Sequence, residues 1–536
     1  MIGVAAKETD FPWVTEFFEL FKTPWEVAVR GKHYDVLLTA DGETDASDAD
    51  LALVYGTKEL PVDRRLGAVV DSIGGPVDVQ WKDETFPIYA RAAGFRSHTY
   101  RGGLFAGDSA IDYRQTSGGA TLHRIGYDLF AEVAYLLTHG QPNRYAPIPA
   151  LEFHIELIRQ SLKDSVVSFV EIPPSPHGHP YTCCLTHDID FYGIRRHTAD
   201  RTVLGFAARG TVGTLLDVFR GRRPLDEAIR NWLAVLSLPL TLLGLKRDVW
   251  QPFDDYARAD GNRGSTFFLV PFSRHGGVGP HGATTARRAV AYGIGGIQAD
   301  IRANAGPRTE FAVHGLDGWR DSDAGASELS ELHAVTGQEK AGVRTHWLYD
   351  SDESPAHLER AGFAYDSTWG YNDAIGYRAG TGQVFRLPAT EGLLELPLTI
   401  MDTAMFYRDR MGLNRDQAAE RCRDIQRRAQ RFGGTLVINW HDRSLAPERQ
   451  WGRSYQRLLN DVETDKPWFA TASEAVNWFR WRRSIRFCAG NAANGVRVVS
   501  SIKAPELPAA RLVIHRAGRA DAEGMPFGGE ARTLTL

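Results

Sequence analysis

The residues best suited to chemistry fall where apolar runs end. THDID (186–190) closes a β-prone run that begins at Tyr181. Residues two apart on a strand share a face, so Asp188 and Asp190 point the same way, with Thr186 before them. Two carboxylates that close repel each other unless a cation or an arginine holds them. The plainer reading is a solvated acidic turn capping the next helix; emergence straight from a buried run, with His187 in between, favours the first. His314 ends the run 310–313 ahead of a glycine-containing loop, HGLDGWRD. It is a structural hydrogen-bonder or, beside an acidic strand end, a metal ligand. Asp317 could assist there or cap the loop. Arg344 and His346 share a face by the same rule, so one could reach a carboxylate and the other a metal or a substrate oxygen. The alternative is an arginine paired to a surface acid and a histidine stacked on Trp347. LVINWH (436–441) delivers His441 to a strand end with Asp442 behind it, which suits general acid work or a structural hydrogen bond. The loop DSTWGYNDAIGYRAG (366–380) carries Trp369, Tyr371 and Tyr377, whose rings could wall a sugar site or pack within the loop.

These residues need a scaffold, and the pattern from 181 to 475 supplies one. Strands are expected near 182–186, 266–270, 310–313, 342–345, 393–396 and 435–439. Helices are expected near 252–260, 285–304, 326–336, 355–361, 416–431 and 453–460. Strands alternating with helices indicate a parallel β/α architecture, in which the strand C-terminal ends build the site. Residues 1–150 read as a separate α/β module, with β-like runs at 36–38, 52–55 and 77–81 and a helix over 127–137, and suggest no chemistry. Residues 151–180 read as a connector that ends in IPPSPHGHP, and 476–536 as a small β-rich module with alternating runs at 496–500 and 511–515. RWRR (480–483) and the charged run 226–230 read as solvated faces.

Composition bounds the function classes. The chain has 536 residues, 43% hydrophobic and 24% charged, which excludes fibrous, disordered and disulfide-built classes and suggests about three domains. With 62 basic against 66 acidic residues there is no global basic field, so no nucleic-acid partner is expected. Four cysteines form neither a disulfide framework nor a metal knuckle, and MIGVAAKETDFPW is no signal peptide, so the cytoplasm is the expected location. The longest apolar stretch, WLAVLSLPLTLLGL (232–245), contains Pro239 and falls short of the ~20 residues that span a bilayer. It reads as a core or interfacial segment; Arg220, Arg222, Arg223 and Lys246 around it leave peripheral membrane contact open. The GxSxG elbow, the GxxxxGK(S/T) phosphate loop and HExxH are all absent.

The ordered set LTHDID (185–190), STFFLV (265–270), FAVHG (311–315), GVRTHWL (342–348), AGFAYDSTWGY (361–371), YRAGT (377–381), LLELPLTIMD (393–402) and VINWHD (437–442) resembles a known family. It is similar to polysaccharide deacetylases of the NodB-homology, or carbohydrate esterase family 4, type, and more narrowly to a bacterial subgroup with THDxD in place of TFDDG. The resemblance covers about 181–475, and YDLFAEVAYLLTHG (127–140) resembles the end of that subgroup's N-terminal module. It implies a distorted (β/α) barrel and divalent-metal-dependent removal of N-acetyl or O-acetyl groups from a polysaccharide or glycan precursor. Zinc is the expected ion, with cobalt, nickel or iron as alternatives. Carried over by position, Asp188 resembles the base that activates water and Asp190 the carboxylate ligand. His314 resembles the first histidine ligand, Arg344 the residue that orients the base, and His441 the acid that protonates the leaving amine. Trp369, Tyr371 and Asp317 would then stand beside the substrate. The family's second motif places two histidines four apart, but Gly318 stands four after His314, so one ligand is missing there. His346, where the family's third motif usually has proline, is the expected substitute and Asp317 the other. Loss of the metal would leave a glycan-binding pseudoenzyme. A glycoside hydrolase on the same barrel, with paired carboxylates acting on an acetal, is a further alternative.

Overall fold

The computed structural model describes every residue except 44–48, 97–101, 166, 198–200, 221–223, 284–285, 388, 491–494, 503–505 and 536. Its centre is a ten-stranded sheet. From one edge the order is Phe385–Arg386, Leu394–Glu395, Tyr365–Asp366, Val343–Thr345, Thr309–Gly315, Ser265–Leu269, Thr182–Ile189, Thr435–Asn439 and Ile400–Met401, with Trp468–Phe469 also pairing to Thr182–Ile189. All pairs are parallel except the one at the Phe385–Arg386 edge. Three adjacent strands, Ser265–Leu269, Thr182–Ile189 and Thr435–Asn439, are buried at every residue. Their near-continuous apolar runs are what a parallel sheet covered on both faces requires.

The sheet curls. Leu394–Glu395 lies next to one edge and Ile400–Met401 forms the other, yet only residues 396–399 join them. At about 3.6 Å per extended residue, the two edges must come close. Leu396 and Leu398 donate their amides to Asp366 and Trp369 carbonyls, and Thr399 to that of Val437, as the chain crosses the gap. Among the described residues no ladder closes the gap, so the expected β/α architecture is present as an open half-barrel. Helices cover it: Pro252–Asp260, Ser322–Thr336, Ser354–Ala361, Arg415–Phe432, Gly452–Thr464 and Ala472–Ser484. The Arg415–Phe432 helix starts where Asn414 accepts from the Asp416 and Gln417 amides, both at 3.0 Å, and Gln417 reaches back to the Asn414 amide. The helix expected over 285–304 is broken instead. Only Gln298–Asn304 is α-helical, after short 3-10 turns at Ala286–Arg288 and Ile294–Ile297. Gly293 presses against the loop that follows the Ser265–Leu269 strand, where a Cβ would meet Ser273 N at 2.7 Å and Pro271 O at 2.8 Å.

The N-terminal region forms a six-stranded sheet in the order Asp112–Ser117, Ala120–Ile125, Ala49–Tyr55, Tyr34–Thr39, Ile2–Ala5 and Trp25–Val27. Helices Phe11–Phe21 and Leu129–Thr138 join its core, as do side chains of the Ala150–Lys163 helix. The stretch 151–180 thus carries most of a helix and the strand Phe169–Glu171, which pairs with Ala510–His515 near the C-terminus. RWRR is not a solvated face. Arg482 is 1% exposed and donates to the carbonyls of Glu19, Leu20 and Ile172, while Arg483 pairs with Glu16. In the 226–230 run, Glu227 is buried beside Arg415 and Arg453. The 232–245 stretch is core on one face only: through helices Leu225–Leu236 and Leu238–Leu242 it buries Ala234 and Leu238 in a small cluster with Phe206 and Trp250, while Leu233, Leu236, Leu240, Leu243 and Leu245 are exposed. Arg222 and Arg223 lie outside the described residues. Among those described, no helix is long and apolar enough to cross a membrane.

Candidate metal centre

The strand ends deliver their polar side chains to one cavity. Asp188 and Asp190 leave the end of Thr182–Ile189, His314 the end of Thr309–Gly315, and Arg344 stands opposite His314 in the next strand. His346 follows directly in a short turn, and His441 follows Thr435–Asn439 by two residues. His187, between the two aspartates, faces away: it stacks on Tyr256 at 3.6 Å and meets Asp260 at 2.9 Å within the core.

Asp190, His314 and His346 form a donor set whose ligand atoms all lie within 4.8 Å of one another. Asp190 Oδ1 is 3.4 Å from the Nε2 of each histidine, yet it is buried without a hydrogen-bond partner. His314 Nδ1 donates to the Arg344 carbonyl at 2.9 Å, which leaves the Nε2 lone pair facing Asp190. Burial pushes His346 down to about 3, so its imidazole is neutral. Its Nδ1 is buried without a partner, unlike that of His314. Two imidazole nitrogens and one carboxylate oxygen, converging around an orphaned acceptor, fit a divalent ion of the zinc type with coordination positions to spare.

Asp188 stands beside this set in a different role. Its Oδ1 accepts from Arg344 Nη1 at 2.9 Å and its Oδ2 from Asn439 Nδ2 at 2.7 Å. Burial alone would raise its pKa, but the Arg344 charge together with His314 and His441 outweighs burial and holds the carboxyl below its usual range. Arg344 is itself immobilised: it is fully buried, donates to Thr186 Oγ1 and to the carbonyl and hydroxyl of Ser367, and lies 4.2 Å over the Phe268 ring. Across the cavity, His441 Nε2 is 3.9 Å from Asp188 Oδ2, too far for a hydrogen bond, so the two groups flank a space. His441 Nδ1 meets Asp402 Oδ1 at 2.6 Å, its backbone amide donates to Asp402 Oδ2 at 2.8 Å, and Ser444 donates to the same carboxylate. Burial works against a charged imidazole here, but the Asp402 carboxylate prevails and raises His441 to about 10.

The cavity holds about 250 Å³. Asp188, Asp190, His314, His346 and His441 line it together with Trp347, Asn372, Tyr407, Arg287, Arg410 and Arg443. Trp347 is 38% exposed, and both it and Leu348 adopt left-handed backbone, at φ 68° and 54°. A bulky residue there is strained. The expected aromatic wall lies elsewhere. Trp369 is buried against Phe385 and Arg378 in the N-terminal core, and Tyr371 is buried with its hydroxyl donating to the Gln141 carbonyl. Asp317 is also outside the donor set; its carboxylate meets His275 at 2.8 Å and accepts from the Val278 amide. Two partners of the site had no role assigned from sequence: Asp402 and Asn439. The strand-end rule that selected Asp188 would have selected Asp402, had Ile400–Met401 been long enough to read as a strand.

No protein-family model matches the chain, and no curated protein does. Among solved structures, it overlaps one from Mycobacterium smegmatis described as a polysaccharide deacetylase, at 20% identity and TM-score 0.33 over 58% of this chain and 95% of that one. It overlaps Agd3, a carbohydrate deacetylase, at 9% identity and TM-score 0.39 over 100% of this chain and 98% of that one. The PuuE allantoinase overlaps at 16% identity and TM-score 0.36 over 58% and 93%. At these scores the function has to be argued from the centre itself.

Proposed function

We propose that residues 181–475 form a metal-dependent hydrolase domain, of the NodB-like type the motifs resemble, that removes an acetyl group from an N- or O-acetylated glycan. One observation carries the reading. Asp190, His314 and His346 are arranged as ligands, while Asp188 and His441, held in opposite charge states, flank the same cavity. A divalent ion in that seat supplies Lewis acidity toward an acyl carbonyl and toward water. The ionised Asp188 accepts the proton of the attacking water, with Arg344 and Asn439 fixing its orientation. His441, protonated and braced by Asp402, donates from Nε2 to the leaving amine or alkoxide. The exposed Trp347 offers a ring on which a sugar would pack.

The test is elemental analysis of wild type, Asp190→Ala and His346→Ala, followed by product analysis on N-acetylated saccharides. Near-stoichiometric metal in wild type, lost in both variants, with acetate released and reducing ends unchanged, is the expected result. Wild-type protein that takes up no metal after reloading would favour the glycan-binding alternative. New reducing ends without acetate would favour the glycoside hydrolase.

A further inference from the structure

Of eighteen large apolar side chains exposed among the described residues, twelve lie within 204–245, the helical excursion that follows the Asp188–Asp190 strand end. The helix Leu225–Leu236 shows the arrangement most plainly. Its inward face is small or polar: Glu227, Ala228, Asn231 and Ala234 are buried. Asn231 bonds Thr214 at 2.8 Å and Gln450 at 2.5 Å, and Glu227 pairs with Arg415 and Arg453, so polar contacts fasten this face to the body. Its outward stripe is Leu225, Ile229, Leu233 and Leu236, each between 46% and 76% exposed. A helix on a globular body ordinarily turns such a stripe inward. Phe219, at 80% exposed, and Leu243, at 74%, extend the apolar surface onto the neighbouring segments.

Charge identifies what covers it. Residues 201–245 hold six basic side chains against three acidic ones, whereas the rest of the chain holds fifty-six against sixty-three. A second copy of the chain would bring like charge onto like charge. An anionic lipid surface takes up both the apolar stripe and the basic excess. The position is equally telling. Arg209 and Gly213 of this excursion line a cavity of about 470 Å³ with Arg408 and Arg449, and that cavity shares Tyr407 and Arg443 with the metal centre.

We propose that the helices Leu225–Leu236 and Leu238–Leu242, with Phe219 beside them, dock on an anionic bilayer surface, apolar stripe in the acyl boundary and the exposed Arg220 and Lys246 at the headgroups, so that the metal centre opens beside the headgroup layer. This does not depend on which bond the centre hydrolyses.

The experiment is flotation of the full chain with phosphatidylcholine vesicles made with and without phosphatidylglycerol. Binding that requires phosphatidylglycerol, weakens with salt and falls at least about tenfold in a Leu233→Asp/Leu236→Asp double variant is expected. Both leucines are exposed, so the variant should melt as wild type does. A Val27→Asp/Val29→Asp variant, altering exposed apolar residues elsewhere, should bind as wild type does. The proposal is overturned if wild type stays off phosphatidylglycerol vesicles at low salt or if the double leucine variant binds them equally well. It is also overturned if light scattering finds a wild-type oligomer that the leucine substitutions dissociate, since a second copy would then occupy the face.

Discussion

Two of the histidine–aspartate clusters among the described residues, one around His123 and one around Asp190, are similar in composition, and only the second has the makings of a reactive centre. In the N-terminal region, His123 bridges Ser161 at 2.9 Å and Asp112 at 3.0 Å. Asp112 accepts from the Gly103 and Leu104 amides as well, at 2.6 and 2.8 Å. All three side chains are buried, every one is hydrogen-bonded, and no described cavity reaches them. At the half-barrel edge, Asp190 Oδ1 and His346 Nδ1 are buried without partners, and the group opens onto 250 Å³ of space. Residue types do not distinguish the two. What distinguishes them is unspent hydrogen-bonding capacity beside a cavity, since a buried polar atom left unpaired costs stability unless a ligand compensates it.

The largest effect should come from the unspent donors. Asp190→Ala removes the one atom that faces both imidazoles, and it should lower metal affinity by more than the ~10–100-fold that loss of a supporting hydrogen bond costs a metal site. Metal content after dialysis checks this; full retention would remove the distinction between the clusters. Asp188→Asn comes next, and should keep the metal while hydrolysis falls by about 10²–10⁴. It also leaves Arg344 buried without its counter-charge, which should cost about 3–5 kcal/mol, read by denaturant unfolding.

The sequence exposes Asp188, Asp190 and His314 well because their carriers are long strands. Eight residues of Thr182–Ile189 are enough for a two-residue alternation to put Asp188 and Asp190 on one face, and Thr309–Gly315 does the same for His314. Asp402 was invisible as a brace for His441 because its strand has two residues and no alternation to read. That Trp369 and Tyr371 pack inward, the other of the two expectations for that loop, has a different cause. Their burial is imposed by the N-terminal helices and by the Gln141 carbonyl, partners far away in the chain that local pattern cannot supply. The same holds for Arg482, whose acceptors at Glu19, Leu20 and Ile172 turn an apparently solvated basic run into an internal fastening. The helix over 285–304 fails at Gly293, where the decisive contact is with Pro271 and Ser273 rather than along the helix.

A subtler separation concerns the proton at His441. The Asp402 carboxylate raises its pKa to about 10, so the protonated form persists through neutral pH and is lost as pH rises through that value. Asp402→Asn removes the opposite charge and should bring the pKa down toward the ordinary ~6.5 of histidine. The alkaline limb of the rate profile should therefore move to lower pH, with activity at pH 8 falling much more than at pH 6. An unmoved limb would mean that the Asp402 charge does not set the proton affinity of His441.

The smallest effect on chemistry belongs to the sealed cluster. His123→Ala leaves Asp112 Oδ2 without its imidazole partner, but the Gly103 and Leu104 amides still hold Oδ1, so the carboxylate is only partly orphaned. That should cost about 1–3 kcal/mol of stability, the penalty for a buried group deprived of one partner. Metal content and the rate per folded molecule should be those of wild type, because no atom of this cluster reaches the half-barrel cavity. If His123→Ala instead lowered turnover or metal binding while the chain stayed folded, a saturated and enclosed cluster would be influencing the reaction. Open valence beside open space would then no longer be the criterion that separates the two.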